Sequence, residues 1–120
     1  MAWSGGKDSA IGMDKALDDS HIEVEALVTV FSEHSGRTSI HGVRESLIEK
    51  QAEEIGLPLE KIWIKEKTTE KEFEKRLKEK LSILKEEYDI EAVIYSDIFL
   101  EDIKEKREKL LREIELEGVF

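Results

Sequence analysis

Apolar positions along the chain change their period several times, and those changes divide it into strands and helices. Met1, Ala2 and Trp3 form a short apolar start, followed by a Gly5-Gly6 turn and then by Ala10, Met13 and Leu17 at helical spacing up to about residue 18. This predicts strand, turn, helix. Residues 24–31 are β-branched and nearly continuous in apolar character, as in a parallel strand covered on both faces. Residues 32–42 are polar and contain glycine, with a turn at 35–38, and make a loop long enough to carry function. Leu47, Ile48, Ala52 and Ile55 mark one face of a second helix, which Gly56 stops and Pro58 keeps from resuming. Residues 61–64 give a third strand. Phe73, Leu77, Leu81, Leu84 and Tyr88 then recur as the narrow stripe of a third helix, whose remaining faces are Glu and Lys at i,i+4, a solvated and ion-paired surface. Residues 92–95 form a fourth strand. Leu100, Ile103, Leu110 and Ile114 mark a fourth helix closing near Gly118, and Val119 and Phe120 begin another strand. Strands alternating with helices imply right-handed βαβ units. The predicted class is α/β, an open parallel sheet of about four to five strands with helices on both faces.

Composition narrows the setting of that fold. At 120 residues, with no Pro- or Ser-rich linker and no internal repeat, residues 1–120 read as a single domain. The chain is 39% hydrophobic and 40% charged, enough apolar content for a core under a densely ionic surface. No apolar run approaches the ~20 residues that span a bilayer, and no secretory leader is present, so the expected location is cytoplasmic with no membrane partner. The absence of cysteine excludes disulfides, thiolate metal sites and cysteine nucleophiles. A formal net charge of −10 repels polyanions, and no basic patch interleaved with aromatics offers a nucleic-acid surface. Any phosphate must therefore be held locally. Lys and Glu dominate, asparagine is absent and Gln51 is the only glutamine, a pattern that resembles the ion-pair surfaces of thermophile proteins.

The chemistry concentrates in Ser4-Gly5-Gly6-Lys7-Asp8-Ser9, between the first predicted strand and the first helix. Open parallel sheets bind ligands at that edge. Gly5 and Gly6 let the backbone take dihedral angles closed to other residues and approach an anion without a Cβ in the way. The following helix points unpaired N–H groups, carrying about half a positive charge, at the same place. Ser4 and Ser9 add hydroxyl donors and Lys7 a full cation. A Walker A loop fails on spacing, because Met1 stands where its first glycine belongs and Asp8 where its Ser or Thr belongs; a dinucleotide G-x-G-x-x-G lacks its third glycine. An ordinary glycine turn with Ser4 or Asp8 capping the helix is the structural alternative.

The six residues also match the SGGxDS signature of the PP-loop, or N-type ATP pyrophosphatase, superfamily. Two further stretches resemble its diphthine–ammonia ligase-related branch: His41-Gly42-Val43-Arg44 leading into 51–59, and Ser96-Asp97-Ile98-Phe99-Leu100-Glu101-Asp102-Ile103 with Arg107. This resemblance implies a Rossmann-like fold of the HUP type. It also implies Mg-ATP bound with its pyrophosphate on residues 4–9, cleavage between the α and β phosphates, and adenylation of a carboxyl group that ammonia then converts to an amide. The implied carboxyl substrate is diphthine on an elongation factor. Members of that branch run further, so the chain resembles an N-terminal half, shortened at the C-terminus. A half-domain exposes an unpaired sheet edge, from which a homo-oligomer is expected. Ser96 stands where the family has glycine. A non-catalytic nucleotide-binding module, with part of the substrate site beyond the chain, is the alternative function.

By the same resemblance, Ser4, Gly5, Gly6, Lys7, Asp8, Ser9, His41, Gly42 and Arg44 are candidate nucleotide-binding residues, Lys7 and Asp97 candidate catalytic residues, and Asp8 a candidate Mg²⁺ ligand. Bland readings stand beside these. Arg44 could pair with Glu45 or Glu49 on its own helix, and Asp97 could cap the helix after it. His21, His34 and His41 lack metal-ligand spacing, and His41 alone stands in the family-like loop. Phe31 and Trp63 read as core rather than as adenine stackers.

Overall fold

The computed structural model describes residues 1–39, 42–95 and 101–119, the side chains of Lys7 and Asp8 excepted. Its elements run α1 (Lys7–Asp18), β1 (Leu27–Ser32), α2 (Glu45–Ile55), β2 (Leu59–Ile64), α3 (Glu70–Tyr88), β3 (Ala92–Ile94), α4 (Glu101–Glu113) and β4 (Glu117–Val119). β1 pairs parallel with β2, and β3 parallel with β4.

Residues 1–3 join the two pairs. Ala2 bridges Val28 in parallel, the Trp3 N–H donates to Val28 O at 2.8 Å, and the Val28 N–H donates to Met1 O at 2.9 Å. On its other side the Ala2 N–H donates to Ile94 O at 2.9 Å. The strands therefore lie in the order β2, β1, residues 1–3, β3, β4, and the direction of the order reverses beside residues 1–3. An open sheet binds its ligands at such a reversal.

Alternation along the strands sends one set of side chains to each face. Leu27 and Phe31 join Met1, Trp3, Met13, Ile48 and Ala52 under α1 and α2, with the Phe31 ring stacked on Trp63 at 5.1 Å. Ile62 and Val93 join Leu77, Leu81, Leu84, Leu110, Leu111 and Leu116 under α3 and α4, with Val28 and Val30 packed against them. The result is three layers, helices on both sides of short parallel strands. Phe31 and Trp63 are core, as their spacing implies.

The helices are placed as expected but two are rotated about their axes. On α1 the inward positions are Ser9, Met13 and Ala16, whereas Leu17 is 60% exposed. Ser9, Met13 and Ala16 follow the i, i+4, i+7 rule, and the polar Ser9 displaced the expected register. On α2, Ile48 and Ala52 are buried while Leu47 is exposed. Gly56 ends α2 at φ 85°, and its N–H and that of Leu57 both return to Ala52 O. α3 starts on Thr69, whose hydroxyl accepts from the Glu72 N–H, and buries Leu77, Leu81 and Leu84 as the stripe predicts. The second strand of the pattern, expected over residues 24–31, starts later, at Leu27 rather than Val24.

Charges that approach the core are partnered. Lys61, on the α2 side of β2, donates to Glu45 at 2.8 Å and Glu49 at 2.9 Å, and these bonds hold its ammonium above the ordinary lysine range. On the opposite side the Tyr88 hydroxyl donates to Glu60 Oε1 at 2.8 Å, which with burial pushes its phenol up to about 12. The Met1 amine donates to Ala26 O at 2.7 Å, yet burial lowers its pKa from 8.0 to about 6.

Two stability experiments follow from this packing. The unfolded Met1 amine binds a proton up to about pH 8 and the folded one only up to about 6, so unfolding takes up a proton between these values and stability rises with pH. The rise amounts to about 2 kcal/mol from pH 6 to 8 in urea denaturation, and acetylating the amine abolishes it. Leu111 has no exposed surface whereas Leu47 is 49% exposed. Leu111→Ala lowers the unfolding free energy by about 2–5 kcal/mol, and Leu47→Ala changes it by less than about 0.5 kcal/mol.

Candidate functional site

Residues 4–9 leave the sheet where its strand order reverses and turn directly into α1. Gly5 stands at φ 79°, in the left-handed region that favours glycine. A Cβ on it would lie 2.5 Å from Ile48 Cδ1 and 3.2 Å from Gln51 Oε1, so α2 packs against the bare glycine. Gly6 is different from the sequence expectation. Its φ of −90° and ψ of −179° are ordinary extended backbone, so the conformational demand rests on Gly5 alone. Gly6 is the N-cap of α1 and, being glycine, offers the first turn no side chain of its own.

The two serines hold the loop's shape. The Ser4 and Ser9 hydroxyls lie 2.7 Å apart in a mutual hydrogen bond, the Ser4 N–H donates to Ser9 Oγ at 3.0 Å, and the Gly6 N–H donates to Ser4 Oγ at 3.3 Å. Ser9 is fully buried and Ser4 is buried, so the Ser9 hydroxyl works inside the loop.

Three residues outside the signature fix its position. The Trp3 indole N–H donates to Gln51 Oε1 at 2.9 Å, and the Gln51 amide reaches back to Gly5 O at 3.5 Å. Thr29, buried on β1, donates to Trp3 O at 2.7 Å. The motif did not reveal these braces. The available signals were a single glutamine in a chain of Glu and Lys, and a hydroxyl inside an apolar strand.

The loop after β1 closes on the same edge. Thr38 and Val43 clasp each other, N–H to carbonyl at 2.8 Å and Val43 N–H to Thr38 Oγ1 at 2.9 Å. Val43 Cγ1 comes within 3.7 Å of a Cβ placed on Gly5, so this loop lies against the glycine turn. Gly42 takes φ 64° and its carbonyl accepts from Arg37 Nη1 at 3.0 Å. Arg44 is the exposed N-cap of α2; Lys61 has taken both Glu45 and Glu49, and Arg44 forms no ion pair among the described residues. The alternative in which Arg44 pairs with Glu45 or Glu49 is therefore not seen among the described residues. His41 and Asp97 lie outside the described residues, as do the side chains of Lys7 and Asp8.

A cavity of about 180 Å³ opens beside the loop, on the α3 and α4 side of the sheet. Ala2, Ser4, Val30, Phe73, Tyr95 and Arg107 are among its walls. The Arg107 guanidinium lies over the Phe73 ring, 5.0 Å from its centroid. Burial pushes the Tyr95 phenol up, partly offset by the nearby Arg107 charge. Mainly apolar walls with a few convergent polar groups suit a flat organic ring. A larger cavity, about 360 Å³ around Met1, Val24 and Tyr88, sits at the amino ends of the strands, away from the edge where such sheets bind ligands. Among the described residues no group of three or more His, Cys, Asp or Glu could hold a metal ion. No helix among them is long and apolar enough to cross a membrane.

The geometry thus sets a helix start headed by Gly6 and a glycine turn beside an apolar cavity. No curated protein matches the chain. A family profile described as the diphthamide synthase N-terminal domain matches residues 1–118, nearly the entire sequence. That span includes residues 4–9, Gln51, Arg44 and Arg107. The chain accordingly belongs to the diphthamide synthase N-terminal domain family, the N-terminal part of the PP-loop diphthamide synthases.

Proposed function

We propose that the chain binds Mg-ATP and adenylates a carboxyl group, diphthine-like by family, which ammonia then converts to an amide. The observation that carries this reading is the start of α1 at Gly6, behind a glycine turn that is braced from three directions, at the point where the strand order reverses. Preformed N–H donors stabilise phosphate charge without reorganising during the reaction. The purine would occupy the cavity between Val30, Phe73 and Arg107, and Ser4, shared by cavity and loop, would mark the passage from nucleoside to phosphates.

In the reaction, a carboxylate oxygen of the acceptor attacks the α-phosphorus. The bond to the β-phosphate breaks and pyrophosphate leaves with its electron pair. Ammonia then attacks the acyl carbon, AMP leaves, and the surplus proton passes to solvent. The loop amides and Lys7 would hold the departing pyrophosphate. With no cluster of acidic ligands among the described residues, Mg²⁺ fits best as a partner of the phosphates with Asp8 as its protein contact, where it would neutralise charge on the leaving group.

The products test the reading. ATP consumption coupled to a carboxyl acceptor and ammonia gives AMP and pyrophosphate in equal amounts; ADP and phosphate would overturn it. Lys7→Ala lowers the rate by about 10²–10³-fold in the same assay. Gly5→Ala, strained at φ 79° and crowded by Ile48, weakens Mg-ATP binding at least about tenfold in calorimetry, with a stability loss of about 1–3 kcal/mol. Unchanged affinity in a folded Gly5→Ala variant would remove the loop from the site.

A further inference from the structure

A trans peptide sends its carbonyl and its N–H to opposite sides. In the Gly5–Gly6 peptide the carbonyl turns towards α2, where Gln51 Nε2 donates to it at 3.5 Å, and the N–H turns to Ser4 Oγ at 3.3 Å. Ser4 also lines the apolar cavity, so this N–H lies on the ligand side of the loop. A peptide unit between two glycines turns over easily, because neither neighbour has a Cβ to oppose it. Its direction must be set from outside the pair. The Gln51 amide can set it because that amide is itself oriented. The Trp3 indole can only donate, so the amide oxygen faces it at 2.9 Å and the amide nitrogen is left for Gly5 O.

We propose that Gln51 is a positioning residue for the phosphate loop: it holds Gly5 O against α2 and thereby aims the Gly6 N–H at the pyrophosphate. This role rests on the adenylating reading for the identity of the anion. Bracing fixes where the loop lies, whereas this contact fixes which way one donor points. The bond from Gly6 N–H to Ser4 Oγ is long and neutral, and a phosphate oxygen offers a shorter, charge-assisted one, so the donor passes to the ligand without the plane turning. A residue at position 51 must accept from an indole and donate to a carbonyl at once. Glutamine does both, and an ionised Glu, so common elsewhere in the chain, could only accept.

The test follows backbone amide signals by NMR in the full chain, with inorganic pyrophosphate and Mg-ATP as probes and Gln51→Met and Gln51→Glu as variants. In the wild type either probe moves the Gly6 N–H downfield, together with the Asp8 and Ser9 amides at the start of α1. Gln51→Met keeps the bulk and loses both bonds; its Gly6 shift is lost at saturation, its Asp8 and Ser9 shifts are retained, and affinity drops about tenfold. Gln51→Glu keeps the acceptor for Trp3 and sets a carboxylate against Gly5 O. Its Trp3 indole signal stays in place while the Gly6 shift is lost, whereas bracing through Trp3 alone would preserve both. A folded Gln51→Met variant whose Gly6 N–H answers pyrophosphate as fully as the wild type overturns the role, and Mg-ATP binding in that variant leaves the adenylating reading standing. If pyrophosphate gives the expected pattern in all three proteins while Mg-ATP moves nothing, the adenylating reading falls and Gln51 still aims the donor, at another phosphate compound. Wild-type loop amides silent to both probes overturn the two together.

Discussion

The sheet depends on a three-residue segment that hydrogen-bonds on both sides. Met1, Ala2 and Trp3 pair with Val28 on one flank and Ile94 on the other, and through them the two strand pairs become one surface. Backbone groups buried at the centre of a molecule must find partners, and a central segment finds them in both neighbours at once. The same segment ends at Ser4, so the pairing that unites the sheet also aims the glycine turn. Met1 and Trp3 face the α1 and α2 layer and Ala2 the α3 and α4 layer, which couples the two cores through adjacent residues.

Much of this was legible in the sequence, and the exceptions have physical causes. Period alone located the four helices, because Leu77, Leu81 and Leu84 or Ile48 and Ala52 recur as helical faces must. It placed Leu17 and Leu47 inward when they point outward, since hydrophobicity ignores that a serine can be the best-buried residue on a helix. Ser9 is buried because its hydroxyl has Ser4 and the loop amide as partners. The glycine turn was recognisable from six contiguous residues. The cavity was not, as Val30, Phe73, Tyr95 and Arg107 come from four separated segments and carry no common spacing. Gln51 and Thr29 were visible as residues but not as braces, because their contacts span 48 and 26 positions.

Electrostatics at the two levels point in opposite directions. The chain carries a net −10, yet the edge that bears the glycine turn gathers a helix start and two exposed arginines, Arg37 and Arg44. Acidic groups near that edge are neutralised in place, as Glu45 and Glu49 are by Lys61. Screening in salt confines the acidic body's influence to about a nanometre, so a short-range arrangement of N–H donors and cations can prevail where it matters. The surrounding negative field then discourages polyanions.

The bond between Ala2 and Ile94 spans most of the chain. During synthesis on the ribosome, residues 1–3 are made well before β3 and have no second flank until it has been released from the exit tunnel. The nascent glycine turn is therefore held on one side at most until β3 has formed, and long-range closure of this kind comes late and slowly. The glycine turn thus reaches its braced shape only when both of its flanks are in place.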